Sequence, residues 1–263
     1  MNKIQKIQNQ KTPITCLTAY TYPIAKILDQ HCDIILVGDS LGMVIYGMKN
    51  TREVTLDMMI EHGKAVTRAA KKALIVVDVP FGTFETSPSQ ALKTAQEIIN
   101  KTNCDAIKIE TSIDTISTIE FLVKNQIPVM GHIGLLPQQV KEPSGYKYQG
   151  RDQKSAEEIL YIAKELERVG AFATVIEGVP EELANKITTS IKIPTIGIGA
   201  SVDCSGQILV IDDLLGLNQE FKPRFVKNYS NLAEEIEKAV KEFCDEVKTR
   251  KFPTKEHMVY NKT

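Results

Sequence analysis

Two periods alternate along the chain. Short, mainly apolar stretches at 13–18, 33–38, 74–79, 106–110, 127–131, 172–176, 195–198 and 207–211 are separated by segments richer in glycine, proline and polar residues. Such runs read as strands buried on both faces. Between them the apolar residues fall at three- and four-residue spacing. Leu56, Met59, Ile60, Gly63, Val66 and Ala70 mark a helix over 55–71, and Ala91, Leu92, Ala95, Ile98 and Ile99 mark one that starts near Ser87, Pro88 and Gln90. Further helices are expected over 20–31 and 115–125, after a Ser155/Glu158 capping box, after Pro180, and over 230–248, where Leu232, Ile236, Val240, Phe243 and Val247 form a stripe to bury. Residues 1–12 are a polar lead-in able to form a helix, and 39–53 and 134–152 read as long loops.

Eight strand units alternating with helices require parallel pairing through crossovers. The chain has 263 residues. That suits a single (β/α)8 TIM barrel of the α/β class, with a lead-in segment and a C-terminal helix and tail. A doubly wound open sheet normally carries a glycine-rich turn after its first strand, whereas here that strand ends in Thr18, Ala19 and Tyr20. The whole chain, 1–263, reads as one catalytic domain.

Composition narrows the function. The formal net charge is −1, with neither sign clustered, so neither nucleic acid nor an acidic membrane surface is an expected partner. Cys16, Cys32, Cys104, Cys204 and Cys244 are widely spaced, which argues against a disulfide framework and against zinc. No apolar run approaches the ~20 residues of a membrane span, and MNKIQKIQNQKT has no hydrophobic signal core. A cytoplasmic protein is expected.

The chemistry sits at strand ends, where barrels of this kind build their sites. DIILVGDSLGM places Asp39 and Ser40 after strand two, between Gly38 and Gly42; ALIVVDVPFG places Asp78 after an apolar run, at the end of strand three; DAIKIETS places Lys108 and Glu110 at the end of strand four; AFATVIEGVP places Glu177 after the apolar run of strand six. One such acid could cap a helix or pair with lysine. Three in succession, Asp39, Asp78 and Glu110, would repel unless a cation sat among them, and hard oxygen donors favour Mg2+. Lys108 lies two residues before Glu110 and shares its inward face. A cation, a lysine and a hydroxyl together suit a 2-oxo acid, whose enolate a metal stabilises.

The sequence resembles the ketopantoate hydroxymethyltransferase family. The resemblance runs through TAYTYPIAK, VGDSLGMVIYG, VVDVPFGTFETSPSQAL, IKIE, PVMGHIGLLPQ, SGYKYQGR, IEGVPEELA, IPTIGIGA, GQILVIDDLLG and FPTKEH. It implies transfer of a hydroxymethyl group from 5,10-methylenetetrahydrofolate to 3-methyl-2-oxobutanoate, forming 2-dehydropantoate in pantothenate synthesis. It implies Mg2+ at Asp39, Asp78 and Glu110, oxo-acid binding by Asp39, Ser40, Asp78 and Lys108, and Glu177 as proton acceptor. It also implies a homo-oligomer, commonly a decamer. The chain departs from the family pattern at Thr111 and Ser112 after KIE and at Ser201 after IGIGA, all in loops beside the mouth. His132 matches the family, but a lone histidine at a strand end is more often structural than catalytic. Two other readings stand beside this one: a Mg2+-dependent carbon–carbon lyase or mutase acting on another 2-oxo acid, and a metal-dependent metabolite-binding protein without catalysis.

Overall fold

A computed structural model describes residues 2–142, 146–218 and 223–260. Contacts divide the chain into two compact units, Met1–Ile211 and Asp212–Thr263.

The first unit is the barrel. Helix α1 (Lys3–Asn9) precedes β1 (Ile14–Thr18), α2 (Tyr22–Leu28) and β2 (Ile34–Val37). A short helix α3 (Leu41–Val44) and a 3-10 turn (Thr51–Glu53) follow, then α4 (Leu56–Ala69), β3 (Leu74–Asp78), α5 (Pro88–Thr102) and β4 (Ala106–Glu110). The second half runs through α6 (Ile116–Lys124), β5 (Val129–Gly134), α7 (Gln153–Arg168), β6 (Ala173–Glu177), α8 (Glu181–Ser190), β7 (Thr195–Ile198) and β8 (Gly206–Leu209), with α9 (Ile211–Leu215) starting at the boundary between the units. The eight strands close into a barrel in sequence order, every neighbouring pair parallel.

The local causes are those the sequence offers. Strands β2, β3 and β4 are buried at every position, as strands packed on both faces require, and the buried positions include the charged Asp78, Lys108 and Glu110. Helix α4 buries Met59, Ile60, Gly63 and Val66, and Thr55 caps it by accepting from the Met58 N–H. Ser87 caps α5 in the same way through Gln90 N–H, with Pro88 at the first helical position. Each cap contributes on the order of 1 kcal/mol.

Several boundaries differ from expectation, and four of them bear on the site or its support. The loop over 39–53 contains α3 and the 3-10 turn. Strand β5 starts after Pro128, which has no N–H for the ladder, and continues to Gly134, so His132 lies inside it. Helix α7 begins at Gln153 because Asp152 caps it; the Ser155 hydroxyl instead accepts from Gly150 N–H at 2.8 Å. Strand β8 stops at Leu209, and the Ile211 N–H donates to the Thr18 hydroxyl at 3.0 Å. Of the 134–152 loop, residues 143–145 lie outside the described residues; Pro137–Gln139 forms a 3-10 turn.

In the second unit, Gly216 takes a positive φ, and the Tyr229 N–H returns to the Leu214 carbonyl at 2.8 Å. Helix α10 (Leu232–Lys248) has the expected amphipathic stripe but buries none of it; Ile236, Val240, Phe243 and Val247 are all exposed. After the helix, Phe252 packs edge-on against Phe243.

Candidate active site

The ends of β2, β3, β4, β5 and β6 bring the expected acids and Lys108 to one mouth. Register puts Asp78 opposite Lys108, Glu110 opposite His132, and Gly134 opposite Glu177. Gly134 has φ +92, and a Cβ there would collide with the Glu177 carbonyl, so the close approach of β5 to β6 beneath Glu177 requires glycine. Gly38 is similarly tight: a Cβ would sit 2.8 Å from the Ser40 hydroxyl and 3.6 Å from Asp78 Oδ2. Gly42, by contrast, faces the Val54 and Met48 side chains, so it serves packing and not ligand approach.

Contacts link the group. The Asp39 N–H donates to Asp78 Oδ2 at 3.0 Å, and Asp78 Oδ1 lies 3.0 Å from Lys108 Nζ. Lys108 Nζ lies 3.3 Å from His132 Nδ1, and His132 Nε2 lies 3.1 Å from Glu177 Oε2. Lysine can only donate, so Nδ1 accepts and a neutral imidazole carries its proton on Nε2, toward Glu177. That last contact is short but off the N–H line, leaving Nε2 without an aligned hydrogen bond. The Ser40 hydroxyl pairs with Tyr20 Oη at 2.8 Å. Asp39, Asp78, Lys108, Glu110 and His132 are all buried, whereas the Glu177 side chain keeps 15% of its surface exposed and can be reached from the mouth.

Burial and the neighbouring Asp78 raise Asp39 to about 7. Burial and Asp39 push Glu110 well above the ordinary carboxylate range. Burial alone would lower Lys108, but Asp78, Asp39 and Glu110 outweigh it, so the lysine is held charged. Burial and then Lys108 lower His132, which stays neutral against the pull of Glu177.

These carboxylates create a negative potential that one lysine does not cancel. Glu110 Oε2 is buried with no hydrogen-bond partner, and Asp78 Oδ1 has only its ion contact with Lys108. Among the described residues no three Asp, Glu, His or Cys side chains close into a metal cage. The buried carboxylate oxygens left without hydrogen-bond partners are hard donors, the chemistry that suits Mg2+, which binds through one or two carboxylates and keeps several waters. A cation held at Asp39 would compete with protons there: with burial and Asp78 raising its carboxyl to about 7, divalent-cation affinity of the substrate-free protein is expected to fall as pH drops through that value. Mn2+ titration between about pH 8 and about pH 6 checks this; an affinity flat across that range would contradict it.

Gln138 had no place among the expected site residues. It is buried at the mouth: its Nε2 donates to Asp39 Oδ2 at 2.8 Å, and its N–H donates to Glu110 Oε1 at 2.8 Å. The departures at Thr111, Ser112 and Ser201 have local partners. Thr111 Oγ1 accepts from the His132 N–H, Ser112 N–H donates to the Thr115 hydroxyl, and the Ser201 hydroxyl donates to Glu181 Oε1 at 3.0 Å. The carboxylates do not line the cavity of about 490 Å³ that is bordered by Gly150, Arg151, Pro180 and Lys186.

The chain's likeness to known proteins agrees with this arrangement. A family model described as ketopantoate hydroxymethyltransferase matches residues 1–255. The 3-methyl-2-oxobutanoate hydroxymethyltransferase of Rhizobium rhizogenes is 53% identical over 245 residues, covering 93% of this chain and 90% of that protein. The enzyme of the same name from Brucella canis is 49% identical over 256 residues, covering 97% and 93%. Among solved structures, phosphoenolpyruvate phosphomutase from Streptomyces platensis subsp. rosaceus superposes with a TM-score of 0.63 at 11% identity, covering 98% of this chain and 91% of that one. A 2,3-dimethylmalate lyase gives 0.61 at 14%, covering 97% and 90%. At such identities the structural likeness establishes the barrel alone. With a family model spanning nearly its whole length and relatives at about half identity, the chain belongs to the ketopantoate hydroxymethyltransferase family.

Proposed function

We propose that the protein transfers a hydroxymethyl group from 5,10-methylenetetrahydrofolate to 3-methyl-2-oxobutanoate through an enolate, with Mg2+ as cofactor. The reaction forms 2-dehydropantoate and releases tetrahydrofolate; water supplies the hydroxyl oxygen. The observation that carries the reading is the pairing of buried Asp39, Asp78, Lys108 and Glu110 with a more open Glu177 at one mouth.

Asp39, Asp78 and Glu110 would hold Mg2+, directly or through water. Bound there, the ion supplies positive charge for the oxygen of the developing enolate. Lys108 is held charged and attracts the substrate carboxylate. The Ser40 hydroxyl, oriented by Tyr20, offers a further hydrogen bond. Glu177 takes the C3 proton, and the electron pair of that C–H bond moves toward C2 and its oxygen. C3 then forms the new bond to the folate-borne one-carbon unit. His132 lies behind Glu177, its Nε2 3.1 Å from Oε2, and helps to position that side chain. The homo-oligomer, a decamer by resemblance, belongs to the same reading; its support is family membership. A cytoplasmic setting is part of the same reading; no helix among the described residues is long and apolar enough to cross a membrane.

Enolate formation needs only oxo acid, cation and base. In deuterated buffer the protein with Mg2+ therefore exchanges the C3 hydrogen of 3-methyl-2-oxobutanoate, with folate accelerating exchange if its binding completes the site. Proton NMR of the substrate reads this directly. An active preparation that shows no exchange, with or without a folate analogue, would contradict the two-step scheme.

A further inference from the structure

Gln138 occupies an unusual position for an uncharged residue. It sits in the 3-10 turn after β5, where Pro137 fixes the first helical position and leaves the Gln138 N–H free to point at the mouth. That N–H donates to Glu110 Oε1 at 2.8 Å. The side-chain nitrogen donates to Asp39 Oδ2 at 2.8 Å and to the Val79 carbonyl at 3.0 Å. One residue therefore ties together the ends of β2, β3 and β4, the three strands that carry Asp39, Asp78 and Glu110. Its own backbone is held in turn. Arg52 Nη1 donates to the Gln138 carbonyl at 2.6 Å, and the Arg52 guanidinium stacks 3.6 Å above the Phe81 ring.

The remaining side-chain atom is the informative one. Two acceptors, Asp39 Oδ2 and the Val79 carbonyl, fix which end of the amide is nitrogen. Oε1 is then buried with no partner, on a residue only 2% exposed. A buried amide oxygen left so carries an uncompensated desolvation penalty that a partner would remove. Glu110 Oε2 and Asp78 Oδ1 lack aligned hydrogen bonds in the same cluster. Acceptors left over together are what the water shell of a hard cation satisfies, because each bound water presents two protons outward.

We propose that Gln138 is a positioning residue of the divalent-cation site. Its amide nitrogen locks one oxygen of Asp39 and leaves the other for the cation, its N–H does the same for Glu110, and its Oε1 accepts from a cation-bound water. The inference rests on the magnesium reading above. It concerns a residue that neither reacts nor contacts the reacting carbon, so its signature is in cation binding. Partners of this kind typically control 10- to 100-fold in metal affinity.

The test is Mn2+ binding to the whole protein without either substrate, followed by electron paramagnetic resonance, for wild type and Gln138→Met. Methionine conserves length and volume while removing both the donor and the acceptor. The expected result is a loss of about 10- to 100-fold in Mn2+ affinity, with a broadened bound-ion spectrum as Asp39 gains freedom. A merely structural role would lower the metal-free melting temperature and leave affinity and spectrum of the folded protein unchanged, which would overturn the proposal. Should Gln138→Met fail to fold, Gln138→Asn, which draws the same amide back by one carbon, decides by the same two readouts. Wild type that binds no divalent cation would refute the magnesium reading itself. Wild type that binds and a folded Gln138 variant within about twofold of it, far inside that expected loss, would refute the role of Gln138 alone.

Discussion

Glu177→Gln lowers turnover about 10²- to 10⁴-fold, the span a positioned general base contributes, while divalent-cation affinity stays nearly unchanged. Glutamine keeps the size of the side chain and its reach toward His132 but cannot take a proton. Glu177 ends β6, two strands beyond Glu110 on β4, and it is the most accessible carboxylate of the group. In the function proposed here it meets substrate and is not spent on the cation. The competing role for an acid at this point is to favour the N-terminus of α8. Its partner says otherwise: the carboxylate meets His132, and α8 already has Glu181 and Glu182 in its first turn. Steady-state kinetics with Mn2+ titration on the same variant checks both halves. Turnover within about twofold of wild type, far short of a general base's contribution, would remove Glu177 from the role and leave His132 as the next candidate.

Asp78→Asn produces a double loss. Asp78 is 2% exposed, touches Lys108 Nζ at 3.0 Å and accepts the Asp39 N–H at 3.0 Å. Removing its charge weakens the cation and the oxo acid together, since one carboxylate organises both Lys108 and the Asp39 backbone. It also leaves a buried lysine short of its nearest counter-charge. Breaking a buried ion pair from one side costs about 3–5 kcal/mol, and the effect here falls toward the lower end because Asp39 and Glu110 still face the lysine. Thermal melting therefore moves down alongside Mn2+ affinity. A variant as active as wild type at limiting Mg2+ would contradict the placement of Asp78.

The barrel was legible because burial on both faces writes continuous apolar runs, and parallel strands need the helices that the intervening period supplies. The acids were legible for the same reason. Asp39, Asp78, Glu110 and Glu177 stand where an apolar run ends, so the strand rhythm alone sends them to one rim. Gln138 was not legible from its chemistry. It neither titrates nor attacks, its partner Asp39 is 99 residues away, and it lies in a stretch read as loop. The one local signal was Pro137, which can start a helical turn and so aim the next N–H. His132 was misplaced by the strand boundary: counting Pro128 into β5 put the histidine past its end, whereas it lies within the strand, in register with Glu110. The stripe on α10 was read correctly as a pattern and wrongly as a buried face, because periodicity reports which side is apolar and not what covers it.

The lyase and mutase reading shares the barrel and the cation, so neither fold nor metal binding separates it from hydroxymethyl transfer. One assay does. Purified protein is given 3-methyl-2-oxobutanoate, 5,10-methylenetetrahydrofolate and Mg2+, and each is omitted in turn while 2-dehydropantoate and tetrahydrofolate are followed by mass spectrometry. Hydroxymethyl transfer predicts that both products appear in equal amounts, only when all three components are present. No 2-dehydropantoate from the complete mixture, or its formation at an undiminished rate without Mg2+, would contradict it.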